Sequence, residues 1–413
     1  MTDETTIPVG EAVPLLEPRE GIPPVIDDAA GLAATVRTFA LGTGPVAVDA
    51  ERASGYRYSG KAYLVQLRRA GAGSALIDPT ACPDLSDLDV ALADTEIVLH
   101  AASQDLPCLA ELGFRPRRLF DTELAGRLLG YERVGLGTMV ETVLGLRLEK
   151  GHSAADWSTR PLPEDWLRYA ALDVEVLVEL RDALHEQLEA SGKLAWALEE
   201  FAAVLNTPVP APRSDPWRRT SGIHKVRSLR GLAVVRELWI LRDEIAREAD
   251  LAPGRVLPDS AIVTAALEIP RTTKALTDIA PFTGRSARRH LRDWLAAIAR
   301  ARSLPESQLP QPSTPGDGPP PTNRWADRDP AAAKRLAAAR AVVAALADEH
   351  RMPTENLLQP DAVRRLTWEP PEILDDEHIE ARLRTLGARP WQIALTAHPL
   401  TKALDRLNTK GDL

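Results

Sequence analysis

Val46-Ala47-Val48-Asp49-Ala50-Glu51 is the stretch that decides the fold. A short apolar run that ends in acid reads as a buried strand. Asp49 and Glu51 are two apart, so both project from the same face of the sheet. Working outward, 63–68 and 75–78 are two more apolar strands, and Gly71-Ala72-Gly73-Ser74 between them suits a hairpin turn. Residues 85–94 read as a helix, 96–100 as a strand, and 106–112 as a helix ended by Gly113. A fifth strand at 118–121 is followed by helices over 123–129 and 136–144 and a long helix over about 164–191. Hairpin strands followed by strand–helix alternation predict an α/β layer fold with a mixed sheet. Residues 1–25, with Pro8, Pro14, Pro18, Pro23 and Pro24, read as an irregular lead-in.

Beyond Pro208, Pro210, Pro212 and Pro216 only helical patterning is found. A Pro/Ser/Gly-rich linker over 305–321 divides the helical part. The two helical segments resemble each other. Leu251-Ala252-Pro253 followed by Leu257-Pro258-Asp259 recurs as Met352-Pro353 followed by Leu358-Gln359-Pro360-Asp361, and Gly284 recurs as Gly387. The expected organisation is a first domain over 1–215 (core about 26–195), a helical module over 216–303, a linker over 304–329, and a divergent second module over 330–413.

The chain has 413 residues and a formal net charge of −9, which averages over unlike parts. Residues 1–216 carry 19 basic and 34 acidic side chains, net −15. Residues 217–302 carry 17 and 9, net +8, and residues 303–413 carry 14 and 16, net −2. A basic body on an acidic protein is the electrostatic footprint of a polyanionic partner. Cys82 and Cys108 are the only cysteines, too few for a disulfide scaffold or a four-thiolate zinc site. The acidic start Met1-Thr2-Asp3-Glu4 lacks signal-peptide order, and no apolar run reaches the roughly 20 residues of a membrane span. A cytoplasmic protein with no membrane and no disulfide partner is expected.

Further acids stand where a fold would prefer none. Asp105 follows the fourth strand at the carboxyl end of the sheet, where α/β folds keep their sites. Asp173 interrupts the apolar run Tyr169-Ala170-Ala171-Leu172-Asp173-Val174, and Tyr169 shares its helix face. Four converging carboxylates repel one another and raise each other's pKa, a cost that divalent cations offset. Mg²⁺ and Mn²⁺ take oxygen ligands, and two such ions clamp a phosphoryl displacement. A tyrosine hydroxyl beside them can orient the attacking water.

The order Asp-x-Glu, then Asp, then Tyr-x-x-x-Asp resembles the DEDDy 3′–5′ exonucleases, and most nearly the ribonuclease D family. The flanking segments 64–67, 76–79, 99–106, 120–122, 156–162 and 169–174 also look like that family. The resemblance spans about residues 40–185. The helical modules look like HRDC domains, small nucleic-acid-binding bundles that the family carries in tandem. The resemblance implies an α/β ribonuclease H-like exonuclease domain, a mixed sheet flanked by helices, followed by two all-α HRDC-type bundles. It implies that Asp49, Glu51, Asp105 and Asp173 ligate two divalent cations, Mg²⁺ or Mn²⁺, and that Tyr169 orients the water. It further implies an exoribonuclease acting on single-stranded 3′ ends of tRNA precursors or other structured small RNA. Ala50 stands where the family often has Thr, at a position not expected to be a ligand.

Several readings stay open. Trp157 can stack on a base and Arg160 can hold a phosphate, or both can lock a loop into the core. Arg285, Arg288, Arg289 and Arg292 have the spacing of one basic helix face suited to RNA phosphates, or form a solvated Arg-rich face. Asp121 reads as a helix cap and His100 as a satisfied histidine near the site. A DNA exonuclease uses the same acids, and a catalytically silent RNA-binding scaffold would keep the fold while losing one of them.

Overall fold

A computed structural model describes residues 12–149, 151–152, 154–208, 213–311 and 318–409. Pro8, Pro210, Pro212 and the middle of the 305–321 linker lie outside these residues.

Among the described residues eight strands are formed: β1 (Val13–Leu15), β2 (Val25–Ile26), β3 (Thr43–Arg52), β4 (Ala62–Ala70), β5 (Gly73–Ile77), β6 (Glu96–Leu99), β7 (Arg118–Asp121) and β8 (Leu146–Leu148). Six of them make one mixed sheet in the order β2-β5-β4-β3-β6-β7. The β3–β4–β5 meander is antiparallel, and β6 and β7 run parallel to β3. Val46, Ala47 and Val48 are fully buried, as an apolar run at the centre of a two-sided sheet must be. The lead-in is not wholly irregular, because β1 pairs in parallel with β8 more than a hundred residues later. The expected 164–191 helix is two helices, Glu164–Glu175 and Leu177–Ala190, parted at Val176 (φ −107°, ψ −4°). The break lets the first helix cover the β3–β4–β5 side while the second packs on β6 and the helices at Thr122–Leu129 and Leu136–Leu144.

Two similar helical bodies follow. Leu229–Glu248, Pro253–Val256 and Asp259–Glu268 in the first have counterparts in Pro330–Glu349, Thr354–Leu357 and Pro360–Trp368. The turn between the first two helices uses a left-handed residue in each, Asp250 (φ +47°) and Arg351 (φ +49°). Their packing differs. The first body has a core of its own around Phe282 and Trp294. The apolar residues of the second join those of the exonuclease sheet in one continuous core.

The first body grips the loop that leaves β3. Asp250 Oδ1 accepts from the backbone N–H groups of Tyr58 and Ser59, both at 3.3 Å. Tyr58 donates its hydroxyl to Asp243 at 3.0 Å, and the Arg255 guanidinium lies 4.0 Å from the Tyr56 ring centre. Among the described residues no helix is long and apolar enough to cross a membrane.

Candidate active site

Three elements place the four acids. Asp49 and Glu51 stand on one face of β3, with Asp49 directly opposite Gln66 of β4. Asp173 and Tyr169 lie one turn apart on the Glu164–Glu175 helix, which packs over that face. Asp105 ends the short turn Ala102–Gln104 after β6. That turn is pinned by Asp121, whose carboxylate accepts from Ala101 N (3.1 Å) and Ala102 N (2.9 Å) and caps the next helix through Glu123 N and Leu124 N. Asp121 is therefore a cap, as expected, and also sets the approach of Asp105. His100 Nδ1 is paired with Thr122 Oγ1 at 2.9 Å.

One oxygen from each of Asp49, Glu51 and Asp173 falls within 4.8 Å of the others. Asp105 stands outside that trio, with Oδ1 3.5 Å from Arg52 Nη2. All four acids and Tyr169 line one cavity of about 550 Å³.

Crowded, desolvated carboxylates hold protons. Burial, then the charges of Asp49, Asp173 and Asp105, pushes Glu51 up to about 10. Burial, then Asp49, pushes Asp105 up to about 8, and burial pushes Asp49 up to about 6. Asp173 is raised well above the ordinary carboxylate range by burial and then by Asp49. Burial and the neighbouring acids also raise Tyr169, so its phenol stays neutral and keeps a proton to donate.

This arrangement fits hard divalent cations. The donors are all carboxylate oxygens, and a cation offsets the repulsion that otherwise protonates them. Gln66, fully buried opposite Asp49, has neither carboxamide atom hydrogen-bonded among the described residues, so it is free to hydrogen-bond a carboxylate or a group bound beside it.

A stability profile follows. Without cations the folded chain keeps protons that the unfolded chain releases near its ordinary carboxylate pKa of about 4. That stability is complete below about pH 4 and is lost as pH rises through the folded values near 6, 8 and 10. The melting temperature in EDTA is expected to fall steadily from about pH 5 to 9, and Mg²⁺ or Mn²⁺ to flatten the fall. A flat profile in EDTA would contradict the buried, repelling site.

Residues 23–189 match the family model described as 3′-5′ exonuclease, residues 231–298 the HRDC domain, and residues 318–404 the 3′ to 5′ exonuclease C-terminal domain. The chain is 32% identical over 335 residues to the ribonuclease D of Gluconacetobacter diazotrophicus, covering 79% of this chain and 81% of that one. It is 36% identical over 295 residues to the ribonuclease D of Escherichia coli, covering 69% and 76%. The chain belongs to the ribonuclease D family. Its fold superposes on the crystal structure of E. coli RNase D with a TM-score of 0.65 at 29% identity, covering 88% of this chain and 98% of that one. A protein from Bifidobacterium adolescentis gives 0.88 at 38% identity, covering 96% and 100%. The catalytic activity is that of a 3′–5′ exonuclease of the ribonuclease D family.

Within this ribonuclease D fold the remaining candidate residues separate. Trp157 is fully buried, its indole donating to His152 O at 3.2 Å and its ring 5.3 Å from that of Trp166. It has no face free for a base. Arg160 donates to Asp78 through Nε (2.6 Å) and Nη2 (2.7 Å) and to the carbonyls of Tyr63, Trp157 and Thr159. These two residues lock the loop before the Asp173 helix onto the β4–β5 hairpin, the packing alternative rather than the RNA-binding one.

Arg285, Arg288 and Arg289 lie on the helix Arg285–Arg289, but Arg292 belongs to the next one, Leu291–Ser303. The expected single face is broken at His290. There the Ala287 carbonyl accepts from His290 N (3.1 Å) and the Trp294 indole (2.9 Å). All four arginines are nevertheless exposed, with no side-chain hydrogen bond or ion pair among the described residues. Sequence reading missed Arg52, although it directly follows the Asp-x-Glu pair.

Proposed function

We propose that this chain is a metal-dependent 3′–5′ exoribonuclease that removes nucleoside 5′-monophosphates from single-stranded RNA 3′ ends. The observation that carries the reading is the meeting of Asp49, Glu51 and Asp173 within 4.8 Å, with Tyr169 one turn from Asp173 on the same helix. Asp49, Glu51, Asp105 and Asp173 would hold two divalent cations, Mg²⁺ or Mn²⁺. Bound there, such cations supply charge neutralisation at the phosphate and a more acidic water.

The chain's own groups do the placing. The neutral Tyr169 hydroxyl, one helical turn from Asp173 on the same helix, would hold a water in line with the phosphorus. The water oxygen bonds to phosphorus, and the 3′ oxygen of the penultimate nucleotide leaves. The exposed arginines Arg285, Arg288, Arg289 and Arg292 suit the phosphates of the RNA body, which the acidic catalytic domain repels.

In this reading residues 1–215 are the nuclease, 216–303 an HRDC module, 304–329 a linker and 330–413 a second, divergent HRDC-type module. The description of E. coli RNase D as an exoribonuclease involved in structured RNA processing supports structured RNA as the substrate class; the finer reading is tRNA precursors or other structured small RNAs, met in the cytoplasm. Incubating matched RNA and DNA, labelled at the 3′ or the 5′ end, with Mg²⁺ or Mn²⁺ tests it. Immediate loss of the 3′ label as mononucleotide, with the 5′-labelled RNA shortening stepwise, is the expected result. Preference for DNA would replace the substrate assignment. Binding without cleavage under either metal would make the chain a scaffold.

A further inference from the structure

Arg52 occupies a position that no role assigned so far explains. It follows Glu51 where β3 and β4 lose register, so its side chain leaves the sheet at the edge of the site. Among the described residues its one ion-pair partner is Asp105, the acid that stands outside the tight trio. Its side chain is 29% exposed while that of Asp105 is 7% exposed, so the guanidinium faces solvent from above a buried carboxylate.

The cavity geometry gives that cation a use. Beside the cavity that holds the acids lies a second of about 300 Å³, lined by Ser54, Gly55, Tyr56, Ala154 and Ala155. The two share the wall Ala50, Glu51 and Arg52, in which Arg52 is the only cation. An exonuclease cutting at a 3′ end must place the last nucleoside on one side of the scissile phosphate and the preceding one on the other. With the terminal nucleotide among the acids and the preceding one in the neighbouring cavity, the phosphate joining them crosses the shared wall.

We propose that Arg52 contacts the scissile phosphate, with Asp105 as its partner only until substrate and cations arrive. The inference rests on the exoribonuclease reading of this site. The exchange leaves neither group without a polar partner: Asp105 turns from Arg52 to a cation as Arg52 turns from Asp105 to the phosphate. A buried polar group left without a partner is destabilising, so the two changes are coupled. The planar guanidinium fork matches two phosphate oxygens, a geometry that lysine lacks.

The test uses the full chain with Mn²⁺, adenosine 5′-monophosphate and adenosine as probes, and calorimetry. Wild type is expected to bind the monophosphate more tightly than the nucleoside. Arg52→Gln should weaken the monophosphate by about 10–100-fold, the range of a hydrogen bond to a charged group, and leave adenosine unchanged. Mn²⁺ binding without nucleotide should be as tight or tighter in Arg52→Gln, because a competing cation is gone. Arg52→Lys should fall between the two, and carries the comparison if Arg52→Gln does not fold.

Unchanged monophosphate binding in the variant would overturn the proposal. So would weakened Mn²⁺ binding without nucleotide, which would make Arg52 a prop for Asp105. Failure of the wild type to bind Mn²⁺ or the monophosphate would instead bring down the reading of the whole site, and this inference with it.

Discussion

Asp173→Asn is expected to lower RNA hydrolysis by at least about a thousandfold while leaving RNA binding intact. At a centre that works by electrostatic stabilisation, losing one well-placed neutral donor already costs about 10²–10³ in rate. Asp173 supplies more than that. It completes the trio with Asp49 and Glu51, and it lies one helical turn from the Tyr169 proposed to hold the water. Asparagine keeps the shape and removes the charge, so the packing of the Glu164–Glu175 helix survives. The same change relieves like-charge repulsion, since Asp173 raises the proton affinity of Glu51. The variant should therefore melt at a higher temperature than wild type in EDTA and gain less from Mn²⁺. Activity and metal-free stability moving in opposite directions would separate a cation-holding role from a folding role. Full activity in the variant would remove Asp173 from the site.

How much of this was legible in the sequence depended on the range of the interaction. The facing of Asp49 and Glu51 follows from the period of a strand, and the facing of Tyr169 and Asp173 from the period of a helix. Both are local, and both pairs stand as the sequence implied. The capping role of Asp121 was equally local; its hold on Ala101 N and Ala102 N was not, because it crosses about twenty residues. Trp157 and Arg160 had two readings because their surroundings come from β4, β5 and the Asp173 helix, which no spacing reveals. The parallel pairing of β1 with β8 was invisible for the same reason. The basic helix face failed locally: a side chain, the Trp294 indole, took the carbonyl of Ala287. The internal repeat was readable in outline. What covers the apolar face of each copy was not, since periodicity shows that a face is buried but never against what.

Deleting residues 318–413 is expected to leave a chain that aggregates or fails to fold, even though every acid of the site precedes the cut. The second helical body shares its core with the exonuclease sheet, so removal strips cover from residues that fold against it. Trp391 stacks on Trp196 with ring centres 5.0 Å apart at 14° and donates its indole to Glu200 at 3.0 Å. Arg389 pairs with the same buried Glu200 at 3.2 Å. Lys193, also buried, donates to the carbonyls of Leu128 (2.6 Å) and His350 (2.5 Å). Truncation would leave Glu200 without both partners and Lys193 with half of its own, and an orphaned buried charge costs about 3–5 kcal/mol. Two point changes test the same joint without deleting anything. Trp391→Ala removes a side chain only 4% exposed and should cost about 3–5 kcal/mol. Gly130→Ala drives a methyl group into the Arg351 carbonyl oxygen at a φ of +85°, so the joint must open or the backbone must move. Both variants should lower the melting temperature of the whole chain in a single transition, because the two bodies unfold together. A truncated chain that melts and cuts like wild type would show instead that the second body is an appendage. The near-neutral charge of residues 303–413, net −2 against +8 for residues 217–302, agrees with a body that braces the nuclease and leaves phosphate contacts to the first module.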